Sequence, residues 1–231
     1  MINYIEKIKE IRLKNKFTQQ DVAEFIGVSR PTYAAIEAGK QDLSLEQAKK
    51  LVSMFNVTLD YLLTGNYPDM DKYKQMILAY LRTDISRDGK VPKTKLAKLL
   101  YLADFSWYYD NLNSMSGMPY RKITLGPVPD MFFRAVEELE ENGKICVEKK
   151  SDSDGKITIL IKENENNQNQ KLSLISKDEN KRIVEISKKW RSKNTSDIVN
   201  FTHNQLPYFL CRDNEVIPYL LITQEDPEKV Y

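Results

Sequence analysis

Residues that carry metal or covalent chemistry are scarce in this chain. Its 231 residues include one histidine and two cysteines. Cys146, Cys211 and His203 do not have the spacing of metal ligands, so we expect neither a zinc site nor a Cys/His nucleophile. Two cysteines cannot form a disulfide framework, and we expect both to be small buried thiols. We place the histidine in a polar loop or at a helix end.

Long apolar runs and a dominant charge are also absent. The longest apolar segments, such as Ile217–Ile222, fall far short of the ~20 residues that span a bilayer. The start, MINYIEKIKE, lacks the apolar stretch of a signal peptide, so we expect a cytoplasmic protein without a membrane partner. The 35 Lys and Arg nearly balance the 33 Asp and Glu, and 41% hydrophobic residues suffice for one or two folded domains.

Helix caps and short apolar stripes divide the first 65 residues into five short helices. Thr18, followed three residues later by Asp21, has the pattern of a capping box. Ser29 is predicted to cap the next helix, with Pro31 in its first turn. We expect the second helix to bury Val22, Ala23 and Phe25. The other helix boundaries are predicted at Gly27, Gly39, Ser44, Thr58 and Gly65.

Turn-forming residues at Gly65–Asp69 predict a boundary between a domain at residues 1–66 and a domain at residues 70–231. In the second domain, apolar residues at helical spacing predict helices that begin near Met70, Leu96, Met131 and Ile183, with one more after a cap at Thr195. The segments Lys144–Lys149 and Lys156–Lys162 predict a β-hairpin joined through Asp154-Gly155. We predict a mobile loop for the polar stretch Glu163–Gln170.

The capped helices on either side of Phe25–Val28 fit a helix-turn-helix, in which a tight turn holds the second helix ready for the DNA major groove. From Ile8 to Leu63 the sequence resembles the Cro/repressor (XRE-type) helix-turn-helix family. The matching motifs are Arg12, Thr18-Gln19, Ala23, Gly27-Val28-Ser29, Ile36-Glu37, Gly39-Lys40 and Leu59-Tyr61-Leu62-Leu63. The predicted fold class is α+β: a five-helix helix-turn-helix domain, then a mainly helical domain with a short antiparallel β element.

This resemblance implies a set of DNA-binding residues. In that set Gln19 contacts a phosphate, and Arg30 is suited to guanine O6 and N7. Pro31 departs from the family, which often has a polar base-reading residue there. Tyr33 either packs inward or exposes its hydroxyl to a phosphate. The full set is Gln19, Gln20, Arg30, Thr32, Tyr33, Ala35 and Lys40, and the resemblance also implies an Arg12–Glu37 ion pair.

The charge of the first domain bears on how it would bind DNA. Residues 1–70 carry nine Lys and Arg and nine Asp and Glu. A net charge of zero is unusual for a tight monomeric DNA binder, and it favours a homodimer on an inverted-repeat operator. The alternative is a helix-turn-helix that no longer binds DNA and serves as a dimerisation module.

Residues 70–231 contain no Gly-rich phosphate loop, no carboxylate pair beside a base and no metal cluster, so we expect no catalytic residues and no cofactor. Asp104 either binds a ligand or is a hydrogen-bonded helix residue. Tyr108, Tyr109 and Tyr120 lie near a segment rich in glycine and proline. These tyrosines predict a protein-binding surface, with an aromatic core as the alternative.

The second domain resembles the Panacea domain, a phage-associated and antitoxin family, from about Lys72 to Ile222. The matching elements are Lys98–Asp104, Gly117, Gly126-Pro127-Val128-Pro129, Asn142-Gly143 and Thr202-His203. The resemblance implies an antitoxin that neutralises a cognate protein toxin by direct binding, while the helix-turn-helix represses the operon. The expected toxin-binding residues are Asp104, Tyr108, Tyr109, Tyr120, Pro127 and His203.

Three alternatives remain for the second domain. It could bind a small molecule within a one-component repressor, which an enclosed apolar pocket would favour. It could act as a proteolytic adaptor for a partner protein. It could be an enzyme that uses His203 or Asp104, although no base–nucleophile arrangement is evident in the sequence.

Overall fold

The computed structural model describes residues 4–55, 57, 62, 67–86, 88–151, 155 and 157–231. The chain divides into two units, Met1–Pro68 and Asp69–Tyr231. The α+β fold class is confirmed, because helices dominate both units and the strands form small antiparallel sheets. No helix in the described ranges is long and apolar enough to cross a bilayer.

The first unit contains helices α1 (Tyr4–Lys14), α2 (Gln19–Ile26), α3 (Arg30–Glu37) and α4 (Leu45–Phe55). Thr18 closes the predicted capping box with Asp21, and Ser29 accepts a hydrogen bond from the backbone N–H of Thr32. Gly27 has φ +81°, the left-handed conformation that lets α2 end and the chain turn into α3. The predicted fifth helix, at Thr58–Gly65, lies outside the described residues except for Leu62.

The core of the first unit is formed by one apolar face from each helix. Ile8, Ile11, Val22, Tyr33 and Leu51 are among its fully buried side chains. One prediction about this core was wrong, since Phe25 is 49% exposed and Ile26 takes the inward position on α2.

The second unit is built around a long central helix. Its helices are α5 (Met70–Leu81), α6 (Lys93–Asn111), α7 (Met131–Glu141), α8 (Lys177–Trp190), α9 (Thr195–His203) and α10 (Leu206–Leu210), with a 3-10 helix at Tyr219–Gln224. The helix α6 is buried along most of its 19 residues, because other elements pack around it. The cap of α9 is Asn194, one residue before the predicted Thr195, because the Asn194 side chain accepts from the N–H of Asp197.

Two small antiparallel sheets complete the second unit. The strands are β1 (Val91–Pro92), β2 (Tyr120–Arg121), β3 (Val128–Pro129), β4 (Ile145–Ser151) and β5 (Ile157–Glu163). The hairpin of β4 and β5 is confirmed, and β5 also pairs with β1. Asp154 and Lys156 of the predicted turn lie outside the described residues. The two-residue strands β1, β2 and β3 were missed, because they are too short for a periodic pattern.

The polar segment after β5 is ordered by an arginine, contrary to the predicted mobile loop. The guanidinium of Arg82 donates to both carboxylate oxygens of Glu163, with the shortest contact 2.7 Å, and to the backbone oxygens of Asn167 and Gln170. Glu163 is only 2% exposed. Residues 165–167 form a 3-10 turn.

The two cysteines differ in their environments. Cys211 is buried, as predicted, whereas Cys146 is exposed. The prediction of two buried thiols was therefore wrong for Cys146, which lies on β4 with its side chain on the solvent side.

Candidate functional site

Helices α2 and α3 and the turn between them form the candidate DNA-binding site. The N-terminal cap of α3, provided by Ser29, and the left-handed Gly27 fix the angle at which α3 leaves the turn. Helix α3 buries Tyr33 and Ile36. The other residues that precede Glu37 in this helix are less buried, and we call Arg30, Pro31, Thr32, Ala34 and Ala35 the recognition face.

A buried polar network at Glu37 holds α1, α2 and α3 together. Arg12 donates to Glu37 through Nε (2.6 Å) and Nη2 (3.1 Å), which confirms the expected ion pair. Glu37 also accepts hydrogen bonds from Gln19 Nε2 at 2.9 Å and from the Tyr33 hydroxyl at 2.8 Å. Burial acts to raise the pKa of Glu37, but these donors outweigh it and the pKa lies below its ordinary value.

This network corrects the expectation that Tyr33 contacts DNA. Its side chain is fully buried and its hydroxyl donates to Glu37, so it does not present that hydroxyl to a phosphate. The inward-packing alternative is the one the structure adopts. Gln19 is half-buried, and its amide is also engaged with Glu37.

The other predicted DNA-binding residues lie at the surface to different degrees. Arg30, Gln20 and Lys40 are exposed, while Thr32 and Ala35 are half-buried. Gln20 Nε2 donates to Glu24 at 2.6 Å. The Thr32 hydroxyl lies 2.8 Å from the Ser29 hydroxyl. Arg30 is therefore the long cationic side chain on the recognition face of α3.

Asp104 of the second unit is a buried hydrogen-bond acceptor. It accepts from the backbone N–H of Ser116 at 2.7 Å, from the Ser116 hydroxyl at 2.5 Å and from the Tyr120 hydroxyl at 2.8 Å. Burial raises the pKa of Asp104 to about 6, although these hydrogen bonds oppose the rise. The expectation that Asp104 contacts a toxin is corrected, because the side chain is fully buried. Its hydrogen bonds hold the loop at Ser116 against the interior of the unit.

The expected aromatic surface is mostly core. Tyr120 is fully buried, and Tyr108 stacks on Tyr219 with ring centroids 5.5 Å apart. Pro127 is also buried, within β2–β3 and their connecting loop. The prediction of an exposed aromatic surface was wrong for Tyr108 and Tyr120, because the ring of Tyr219 packs against both. Pro127, an expected toxin contact, is not accessible either. Tyr109 remains half-exposed.

His203, Lys98 and Gly126 meet beside this core. His203 is the last residue of α9, as predicted for a helix-end histidine, and its ring stacks on Tyr208 at 4.5 Å. The amine of Lys98 donates to the Pro127 carbonyl at 2.9 Å, and burial lowers the pKa of Lys98 to about 7. A Cβ on Gly126, where φ is +90°, would lie 2.7 Å from Lys98 Cε and 3.0 Å from His203 Nε2.

Exposed apolar side chains lie on a neighbouring part of the second unit. The fractional exposures are 61% for Leu125, 71% for Phe209, 58% for Leu210 and 54% for Leu220. The Tyr208 hydroxyl donates to the Ile123 carbonyl at 2.8 Å and so joins the Leu125 loop to α10. Helix α10 also packs on the 3-10 helix that carries Leu220. We call these four exposed residues the apolar patch; no periodic pattern in the sequence indicates them.

Two family models match the chain. A helix-turn-helix model matches residues 8–62. A model described as "Antitoxin SocA-like, Panacea domain" matches residues 96–207. No solved structure matches the chain.

Curated relatives are transcriptional regulators. An uncharacterised HTH-type regulator of Methanocaldococcus jannaschii is 44% identical over 54 residues, which cover 23% of this chain and 82% of the relative. The uncharacterised HTH-type regulator YqaE of Bacillus subtilis is 36% identical over 62 residues, covering 27% of this chain and 53% of the relative. The cryptic phage CTXphi transcriptional repressor RstR of Vibrio cholerae is 32% identical over 69 residues, covering 30% and 62%.

The chain belongs to the helix-turn-helix family of transcriptional regulators. Its C-terminal region is a Panacea domain of the SocA-like antitoxin type. The chain spans 53% and 61% of the lengths of two Bacillus subtilis relatives that it matches.

Proposed function

We propose that this chain is the antitoxin of a bacterial or phage toxin–antitoxin system. The second unit neutralises a cognate protein toxin by direct binding, and the first unit represses the operon as a homodimer on an inverted repeat. The observation that carries this proposal is the presence of a helix-turn-helix domain and an antitoxin-type domain in one chain. Both families consist of binding proteins, so the proposal assigns no catalytic residue, cofactor or metal. It places the protein in the cytoplasm, where the DNA is.

The proposed DNA contacts are the exposed residues of the helix-turn-helix. Arg30 would chelate a guanine, because a guanidinium matches guanine O6 and N7. Gln20 and Lys40 are exposed and would contact the phosphate backbone. Gln19 would reach a phosphate only by exchanging its hydrogen bond to Glu37, so we assign it mainly a role in holding α2 against α3.

The proposed toxin contact is the apolar patch together with Tyr109 and His203, which are half-exposed. Exposed apolar side chains that lie close together are typical of protein-binding surfaces, and the Tyr208–Ile123 hydrogen bond and the packing of α10 on the 3-10 helix bring the segments of the patch together. We expect the binding energy to come from this patch and not from the buried Tyr108 and Tyr120, because a partner can cover only accessible side chains.

The small-molecule alternative has less support. One cleft, of about 470 Å³, lies between α5 and α8 and is open to solvent. Two of its charged side chains are already paired, Arg82 with Glu163 and Asp84 with Arg191. An inducer site would offer free polar groups in an enclosed apolar cavity.

One experiment tests the two halves of the proposal. The purified chain is titrated onto the DNA upstream of its own gene, and the neighbouring reading frame is expressed in cells with and without the chain. We expect a specific complex with DNA, and Arg30→Ala should weaken it by about 1–3 kcal/mol. The control variant Arg134→Ala, which removes an exposed arginine of the second unit, should leave the DNA affinity unchanged. We also expect rescue of growth with a stable complex between the two proteins. Absence of a specific DNA complex contradicts the repressor half, and degradation of the partner in place of stable binding favours the proteolytic adaptor.

A further inference from the structure

The recognition face of α3 is built from small side chains apart from Arg30. Pro31 is exposed, and Thr32, Ala34 and Ala35 are half-buried. Neither Pro31 nor the two alanines has a side-chain group that can hydrogen-bond to a base. Polar readout of base edges beyond Arg30 would therefore depend on Thr32.

The Thr32 hydroxyl is already part of the helix cap. It lies 2.8 Å from the Ser29 hydroxyl, and the same Ser29 oxygen accepts from the Thr32 backbone N–H at 3.2 Å. The cap bond itself joins the Ser29 oxygen and the Thr32 backbone N–H, and the Thr32 hydroxyl makes a second contact with the same oxygen. The Thr32 Cγ2 methyl takes no part in these hydrogen bonds, so it can contact a base without exchanging any of them.

Methyl groups on a recognition helix have one specific counterpart in the major groove. Thymine carries a C5 methyl there, and Ala and the Thr methyl make apolar contact with it. Ala35 follows Thr32 by three residues, so the two side chains are neighbours on one side of the helix. Small side chains also allow the helix backbone to come close to the bases.

We propose that Thr32 and Ala35 read thymine methyl groups in the operator half-site, adjacent to the guanine read by Arg30. This inference rests on the proposed DNA-binding function and specifies what the site recognises. It replaces polar readout at these positions with apolar readout, and it compensates for the polar residue that Pro31 does not supply.

The test uses DNA in which single methyl groups are removed. A random library of duplexes is enriched on the immobilised full chain, and each thymine of the enriched half-site is then replaced singly by deoxyuridine. We expect about a fourfold loss of affinity at one or more thymines, because each buried methyl contributes on that order. If no duplex is enriched, the proposed DNA-binding function fails. If duplexes are enriched but no thymine-to-uracil change alters affinity, this inference alone is overturned.

Two variants identify the residue that reads the methyl group. Thr32→Ser keeps the hydroxyl and loses the methyl, so it should bind the thymine duplex about fourfold more weakly than the wild type. Replacing that thymine with uracil should then cause no further loss of affinity. Thr32→Val keeps a methyl and loses the hydroxyl, so it should retain sensitivity to uracil. Thr124→Ser, at an exposed threonine of the second unit, is the matched control and should behave as the wild type. If Thr32→Ser keeps the sensitivity to uracil and Thr32→Val loses it, the hydroxyl is the group that contacts the base, and the proposal is overturned.

Discussion

Glu37 is the residue at which side chains from three helices of the first unit meet. Its carboxylate joins Arg12 of α1, Gln19 of α2 and Tyr33 of α3. The side chains of Arg12 and Glu37 are little exposed, so removal of either one leaves the charge of the other poorly solvated. The stability of the first unit is thereby tied to the ionisation of this single carboxyl.

Replacing Glu37 with Gln should lower the free energy of unfolding of the first unit by about 3–5 kcal/mol at neutral pH. The folded pKa of Glu37 lies below the ordinary value of 4.5. The carboxylate therefore stabilises the fold at pH values above 4.5, and this contribution decreases as the pH falls through the folded pKa. Denaturant titrations of the wild type and the variant at a series of pH values would measure the difference. A difference that persists undiminished at pH 3 would contradict this account.

Individual residues were predictable where their partners are near in sequence. The caps at Thr18 and Ser29 act on N–H groups three residues away, so the local pattern contained them. The burial of Tyr108 and Tyr120 was not predictable in this way. Tyr219, whose ring lies against both, comes about a hundred residues later, and nothing in the local sequence indicates that contact.

Among the elements, the segment after β5 shows how a polar stretch becomes ordered. Residues Glu163–Gln170 have the composition of a loop, and the sequence offers no apolar anchor. The anchor is Arg82, at the C-terminal end of α5, which binds the side chain of Glu163 and two backbone carbonyls of the segment. Composition alone could not reveal this, because the two partners lie far apart in sequence.

Arg82→Gln should release this segment. Hydrogen exchange of the backbone amides between residues 163 and 170 should become faster, and the second unit should lose about 3–5 kcal/mol because Glu163 keeps a buried charge without its partner. Arg134→Gln is the control, since Arg134 forms an exposed pair with Glu138 within one helix, a type of pair that contributes little. Equal exchange rates in the two variants would show that Arg82 does not order the segment.

At the scale of the whole molecule, the two units have separate hydrophobic cores. The second unit begins with a defined anchor. The Asp69 carboxylate accepts from the N–H of Lys72 at 2.9 Å, and its own N–H donates to the Ser116 carbonyl at 2.8 Å. Asp104 holds Ser116 from the other side, so the start of α5 is bound to the interior of the unit.

A fragment from Tyr67 to Tyr231 should therefore fold alone, rescue cells from the toxin and fail to bind the promoter. A fragment from Met70 lacks the Asp69 cap and should be less stable by about 0.5–2 kcal/mol. Thermal unfolding followed by circular dichroism compares the two fragments. Failure of a folded Tyr67–Tyr231 fragment to rescue cells would show that neutralisation requires the first unit.

The crowding at Gly126 determines how this part of the sequence can drift over evolutionary time. A side chain at position 126 would need space that Lys98 and His203 now occupy, and it would also have to adopt a left-handed backbone. Three positions that are distant in the chain are therefore coupled: a side chain at 126 requires Lys98 and His203 to move aside, and the left-handed backbone strains it whatever space they leave. Thr124 and Leu125, within two residues of Gly126, are exposed, so a single change at either position requires no compensating change elsewhere in the core. The same short loop thus combines a position that is nearly fixed with positions that can change by single steps.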